Sequence, residues 1–70
     1  MDEKILKSFE GKEVALSHYD ETGNTRNKLG KVLQVANGRL TLQYIDDSGA
    51  IKDIEIEKIF YIALRRKDGS

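Results

Sequence analysis

Residues 28–46 read Lys28-Leu29-Gly30-Lys31-Val32-Leu33-Gln34-Val35-Ala36-Asn37-Gly38-Arg39-Leu40-Thr41-Leu42-Gln43-Tyr44-Ile45-Asp46. The dipeptide Asn37-Gly38 decides how this stretch folds. Both residues tolerate positive φ, which a two-residue hairpin turn requires. After the turn, Leu40, Leu42 and Tyr44 alternate with Thr41, Gln43 and Ile45. That period of two is the signature of a strand with one buried face. Before the turn, Lys28 to Val35 reads as the partner strand. Leu29, Leu33 and Val35 are taken as in phase, with Val32 on the opposite face, so this strand is expected to be apolar on both sides. A hairpin alone is marginal in water, so its neighbours must supply further strands.

Upstream, Glu13-Val14-Ala15-Leu16-Ser17-His18-Tyr19 alternates in the same way. Asp20 to Asn27 contains Thr22-Gly23-Asn24, a loop signal. Downstream, Asp46-Asp47-Ser48-Gly49 is a turn, and Ile54 and Ile56 share a face opposite Asp53 and Glu55. Ile51 breaks that alternation, which a β-bulge would explain. A tight turn around Glu57-Lys58 leads into Ile59-Phe60-Tyr61-Ile62-Ala63-Leu64. This continuous apolar run suits a strand buried on both faces better than a helix. The first ten residues read as a short helix, because Met1, Ile5 and Phe9 are spaced by four with Leu6 beside them. So short a helix is not stable alone, and Ile5, Leu6 and Phe9 are expected to dock on the sheet. Gly11 ends it.

The expected architecture is thus mainly β: one short helix (1–10), five strands (11–64) and a basic tail (65–70). Bent into a small barrel, five short strands hide most of their edges. The expected core is Val14, Leu16, Leu33, Val35, Leu40, Leu42, Ile54, Ile56, Ile59 and Ile62.

Composition narrows the class. The chain has 70 residues, 39% of them hydrophobic, with twelve Lys/Arg balanced by twelve Asp/Glu. That is one small domain and not a disordered chain. No cysteine is present, which excludes disulfides and thiolate metal sites. No uncharged run approaches the ~20 apolar residues of a membrane span. Charges at Asp2, Glu3, Lys4 and Lys7 interrupt any signal-peptide pattern, so a cytoplasmic protein that does not engage membranes is expected.

The charges are banded. Residues 1–25 carry three positive and six negative charges, 26–45 four positive and none negative, 46–57 one positive and five negative, and 58–70 four positive and one negative. If the two basic bands share a side, they form a patch that attracts phosphate. The bland alternative is that basic and acidic bands pair across neighbouring strands. Arg65-Arg66-Lys67 has the same two readings, a phosphate-binding arm or a frayed end. Tyr19 and Tyr61 are candidate outward-facing aromatics, or fill seams with their hydroxyls at the surface.

No catalytic, metal or cofactor constellation is expected. His18 is the only histidine and has no nucleophile or second ligand beside it. Asp46, Asp47 and Asp53 read more simply as turn and strand residues than as a cation site.

The order of a short helix, Gly11-Lys12-Glu13-Val14, Leu29-Gly30-Lys31-Val32, Leu40-Thr41-Leu42 and Ile54-Glu55-Ile56-Glu57-Lys58-Ile59 resembles the Sm-like branch of the small SH3-like barrels. It is also similar to the C-terminal domain of bacterial ribosome maturation factors and to YolD-like and WYL-type domains. The resemblance implies the barrel, and an oligomer built by strand pairing. Of the Asp and Asn that Sm proteins place between their second and third strands, only Asn37 has a counterpart here. Glu57-Lys58 stands where their Arg-Gly would be.

The expected function is a non-enzymatic small-barrel binding module acting near RNA, the ribosome or DNA. Its candidate contacts are Arg26, Lys28, Lys31, Asn37, Arg39, Lys58, Arg65 and Arg66. The alternative is a protein-interaction or self-assembling module that adds a partner strand at an open edge.

Overall fold

The computed structural model describes residues 1–45 and 49–65. Residues 46–48 of the expected turn, Arg66 and the remainder of the expected tail lie outside the described residues. The fold is mainly β, as expected: a helix α1 (Glu3–Lys7), strands β1 (Glu13–Tyr19), β2 (Thr25–Ala36), β3 (Arg39–Tyr44) and β4 (Ile51–Glu55), a 3₁₀ turn (Ile56–Lys58) and strand β5 (Ile59–Leu64). All strand pairings are antiparallel, in the order β4-β3-β2-β1-β5.

Asn37 (φ 55°) and Gly38 (φ 75°) both occupy the left-handed region, so the β2–β3 hairpin forms on the dipeptide that signals it. The inward faces of the strands meet in one cluster of Leu6, Val14, Leu16, Val32, Val35, Leu40, Leu42, Ile54, Ile56 and Ile59, all buried. A single sheet can bury one face this completely only by curling over it, because among the described residues the sole other layer is a five-residue helix. The curl is not sealed by hydrogen bonds. No ladder joins β4 to β5 among the described residues, and each remains an edge.

Four expectations are corrected. First, Val32 is buried and Leu33 is 40% exposed, the reverse of the expected core. Val32 faces Leu42 and Gln34 faces Thr41, so Leu33 is an extra residue with no partner. This bulge resets the phase of β2, and Val35 falls on the inner face with Val32 although three positions separate them. Second, Ile51 pairs regularly with Gln43 and needs no bulge; it lies on the outer face and is 56% exposed. Third, β5 is not buried on both faces. Only Ile59 is buried, Ile62 is half-buried, and Phe60, Tyr61 and Leu64 are exposed, because β5 has β1 on one side and no strand on the other. Fourth, the helix is shorter than its periodicity suggests.

Asp2 caps that helix, its carboxylate accepting the Lys4 N–H at 3.0 Å. After Lys7 the chain tightens: the Phe9 N–H bonds the Leu6 carbonyl and the Glu10 N–H that of Lys7. Leu6 enters the core and Phe9 packs against it, while Ile5 stays exposed.

At Gly30 strands β2 and β3 approach closely. A Cβ there would lie 2.5 Å from the Gln43 carbonyl oxygen and 2.8 Å from Leu42 Cγ. The residue type, not a special φ, lets these strands pack.

Candidate interaction surface

The two edges of the sheet differ in chemistry. The β4 edge reads Ile51-Lys52-Asp53-Ile54-Glu55. Three charges in five residues discourage pairing with another strand. Asp53 is held by the Thr41 hydroxyl at 2.8 Å, and Glu55 lies 3.6 Å from Lys58. The β5 edge, Ile59-Phe60-Tyr61-Ile62-Ala63-Leu64, carries no charge. Neither Lys, Pro nor an inward-pointing charge lies within it; the one blunting device it carries is a bulge at Phe60, before the regular stretch that starts at Tyr61.

The ladder to β1 fixes which backbone groups of β5 are free. Glu13, Ala15 and Ser17 of β1 stand opposite Arg65, Ala63 and Tyr61, and the Arg65 N–H donates to the Glu13 carbonyl at 2.9 Å. In an antiparallel ladder, hydrogen-bonded and non-bonded pairs alternate. Tyr61, Ala63 and Arg65 therefore aim their N–H and C=O groups at β1. Ile62 and Leu64 aim theirs away from it, along the unoccupied side.

The register slips between Ser17 and His18, so His18 faces Ile59 and Phe60 is the extra residue. The Phe60 ring meets Tyr19, with centroids 4.8 Å apart and planes tilted by 38°. Both rings stay about half exposed, at 46% and 45%. On the outer face, Tyr61 stands beside Ser17, and Ala63, Ala15 and Leu29 form a cross-strand row. Leu29 is 41% and Tyr61 52% exposed, so an apolar strip runs inward from the β5 edge.

The basic residues expected to form one patch are distributed differently. Residues directly opposite in a sheet share a face. Arg26 and Lys28 stand opposite His18 and Leu16, at the rim of the inner face. Lys31 stands opposite Glu13 and Gln43 on the outer face, and Arg39 opposite Glu55. Arg26 is clamped by Asp20 at 2.9 Å, Arg65 by Glu13 at 3.2 Å and Lys58 by Glu55 at 3.6 Å. The Lys28 ammonium sits 5.0 Å from the centroid of the Tyr44 ring. Asn37 serves the hairpin turn. Pairing between acidic and basic bands, the bland alternative, describes most of these cations.

Asp20 organises the β1–β2 loop. One carboxylate oxygen accepts the Thr22 N–H, the Thr22 hydroxyl and the Asn24 N–H at 2.7–2.9 Å, and the other accepts Arg26 Nε. The Thr22 hydroxyl first, then Arg26 and the two amides, hold the Asp20 carboxyl well below the ordinary carboxylate range, against a smaller opposing effect of desolvation. Because this side chain closes the loop, β2 begins at Thr25, earlier than the sequence suggests.

Beside this loop an open groove of about 450 Å³ runs between His18, Tyr44 and the β4 residues Lys52 to Glu55. His18 Nδ1 lies 3.1 Å from the Tyr19 carbonyl, which places its proton on Nδ1. Its Nε2 is shielded from solvent and has no partner. Three of the four carboxylates that line the groove are committed, Asp20 to its loop and Arg26, Asp53 to Thr41, and Glu55 to Lys58; the fourth is Glu21.

Among the described residues no helix is long and apolar enough to cross a membrane. Comparison with protein-family models, with curated proteins and with solved structures finds no match to this chain.

Proposed function

We propose that this protein is a non-enzymatic protein-interaction module that takes up an extended partner strand along β5. The observation that carries this reading is the contrast between the edges: β4 is charged, while β5 offers six uncharged residues and the outward N–H and C=O groups of Ile62 and Leu64. Strand addition draws affinity from such main-chain groups and specificity from alternate side chains. Here the alternate side chains are Tyr61 and Ala63 on the outer face, continuous with Ala15 and Leu29. The nucleic-acid reading rested on the resemblance to Sm-like barrels and on one basic patch. With its cations divided between two faces and mostly facing carboxylates, that reading has less support.

The test is an NMR titration of the labelled protein with a pool of short extended peptides and, separately, with mixed RNA at low salt. The module reading expects peptide-induced shifts and exchange protection centred on the Ile62 and Leu64 amides. Salt-dependent RNA shifts at Lys31, Arg39 and Arg65, with β5 unmoved by peptide, would overturn it.

A further inference from the structure

We infer that the strand β5 accepts is β5 of a second copy of this chain, paired antiparallel about a two-fold axis at Ala63. The inference rests on the edge reading above and names its occupant.

The regular part of the strand is bounded on both sides. Phe60 is the bulged residue, so regularity begins at Tyr61. Arg65 still donates to the Glu13 carbonyl, so regularity extends to Arg65. Ala63 is the midpoint of those five residues. An isologous pairing must map the strand onto itself. With the axis at Ala63, Ile62 faces Leu64 of the second copy and Leu64 faces its Ile62. These are the residues whose N–H and C=O groups point outward, so both pairs can exchange two hydrogen bonds. Ala63 faces its own copy as a non-bonded pair, where side chains approach most closely, and its methyl group is small enough to permit that approach. Tyr61 faces Arg65 of the second copy, a cation against an aromatic ring.

The charges favour this occupant over a head-to-tail arrangement. Pairing β5 with the β4 edge of another copy would set Tyr61, Ile62 and Leu64 among Lys52, Asp53 and Glu55. It would also generate an open chain or a ring. The two-fold pairing sets the uncharged Ile62, Ala63 and Leu64 against one another, meets the one charge of the stretch, Arg65, with a tyrosine ring, and leaves both β4 edges in water.

Five residues from each copy are far fewer than the ~20–30 a side of a standard stable interface. Association is therefore concentration-dependent, not obligate.

The test uses the full chain. Because it contains no cysteine, one introduced thiol reports a single position. Ala63→Cys is expected to give a disulfide-linked dimer under mild oxidation, while Ile51→Cys, more exposed than Ala63 but on the charged edge, stays monomeric. Sedimentation of the unmodified chain is expected to show a monomer–dimer equilibrium that Leu64→Lys abolishes and Ile51→Lys leaves intact. Leu64 is 57% exposed, and circular dichroism confirms that the variant folds. A monomer at the highest concentration reached, or cross-linking of Ala63→Cys no faster than Ile51→Cys, overturns the dimer. If peptides still shift the Ile62 and Leu64 amides of such a monomer, only the occupant is wrong; if they do not, the edge reading falls as well.

Discussion

The carboxylate of Glu10 accepts the backbone N–H of Val35 at 2.7 Å, across 25 positions of sequence. The β1–β2 ladder runs to Lys31, and Val32 continues it by one residue through backbone bonds with Lys12 and Gly11; the Val35 N–H, farther along this side of β2, bonds to a side chain instead. Glu10, in the turn after α1, supplies the missing acceptor. The bond ties the N-terminal segment to the strand whose phase the Leu33 bulge resets.

Glu10→Ala is therefore expected to leave a part-buried N–H unpaired and to cost about 1–3 kcal/mol. Urea unfolding of the two proteins measures it. A loss within about 0.5 kcal/mol, the range of ordinary surface changes, would mean that water replaces the carboxylate without penalty.

The position of the bulge can be tested with two leucines. Leu40→Ala empties a fully buried site and should cost about 2–5 kcal/mol, near the whole stability of so small a domain. Leu33→Ala should stay within about 0.5 kcal/mol. Equal losses would show that Leu33 faces inward and that β2 has no bulge.

Gly30→Ala places a methyl group against the Gln43 carbonyl. Strands β2 and β3 must separate or shift, and a loss of about 1–3 kcal/mol is expected, as for other overpacked sites. Thermal unfolding that shows Gly30→Ala unchanged or stabilised would refute the close approach.

The Asp20 carboxyl should titrate below the ordinary carboxylate range when followed by carboxyl-carbon NMR. The sign follows from the folded value lying below the unfolded one. The contribution of Asp20 is complete above the unfolded value, about pH 4, and is lost as acid drives pH down through the folded value. Loss of the Thr22 and Asn24 amide shifts should accompany protonation. Titration near pH 4, with those amides unmoved, would remove Asp20 as the organiser of the loop.

Much of the fold was legible because it depends on local chemistry. Asn37-Gly38 can make its turn whatever surrounds it, and the alternation of Leu40 and Leu42 needs only a neighbouring strand to be buried. The candidate surface was less legible. An uncharged run reads the same in a central strand as in an edge strand, and only the order of strands distinguishes them. The basic residues were visible as a band along the chain, but the pleat divides such a band between two faces. The Leu33 bulge had one local sign, the apolar character of both sides of β2.

By itself, then, the sequence determined a mainly β chain with a hairpin at Asn37-Gly38, an N-terminal helix too short to stand alone, and a core of branched aliphatic side chains. Periodicity and turn chemistry act over a few residues and survive any arrangement of the rest. Tertiary structure alone decided that Val32 rather than Leu33 enters the core, that Glu10 serves Val35, and that β5 is an open edge. Each depends on which backbone groups lie opposite one another, and pairing between distant segments is settled by the packing of the whole sheet.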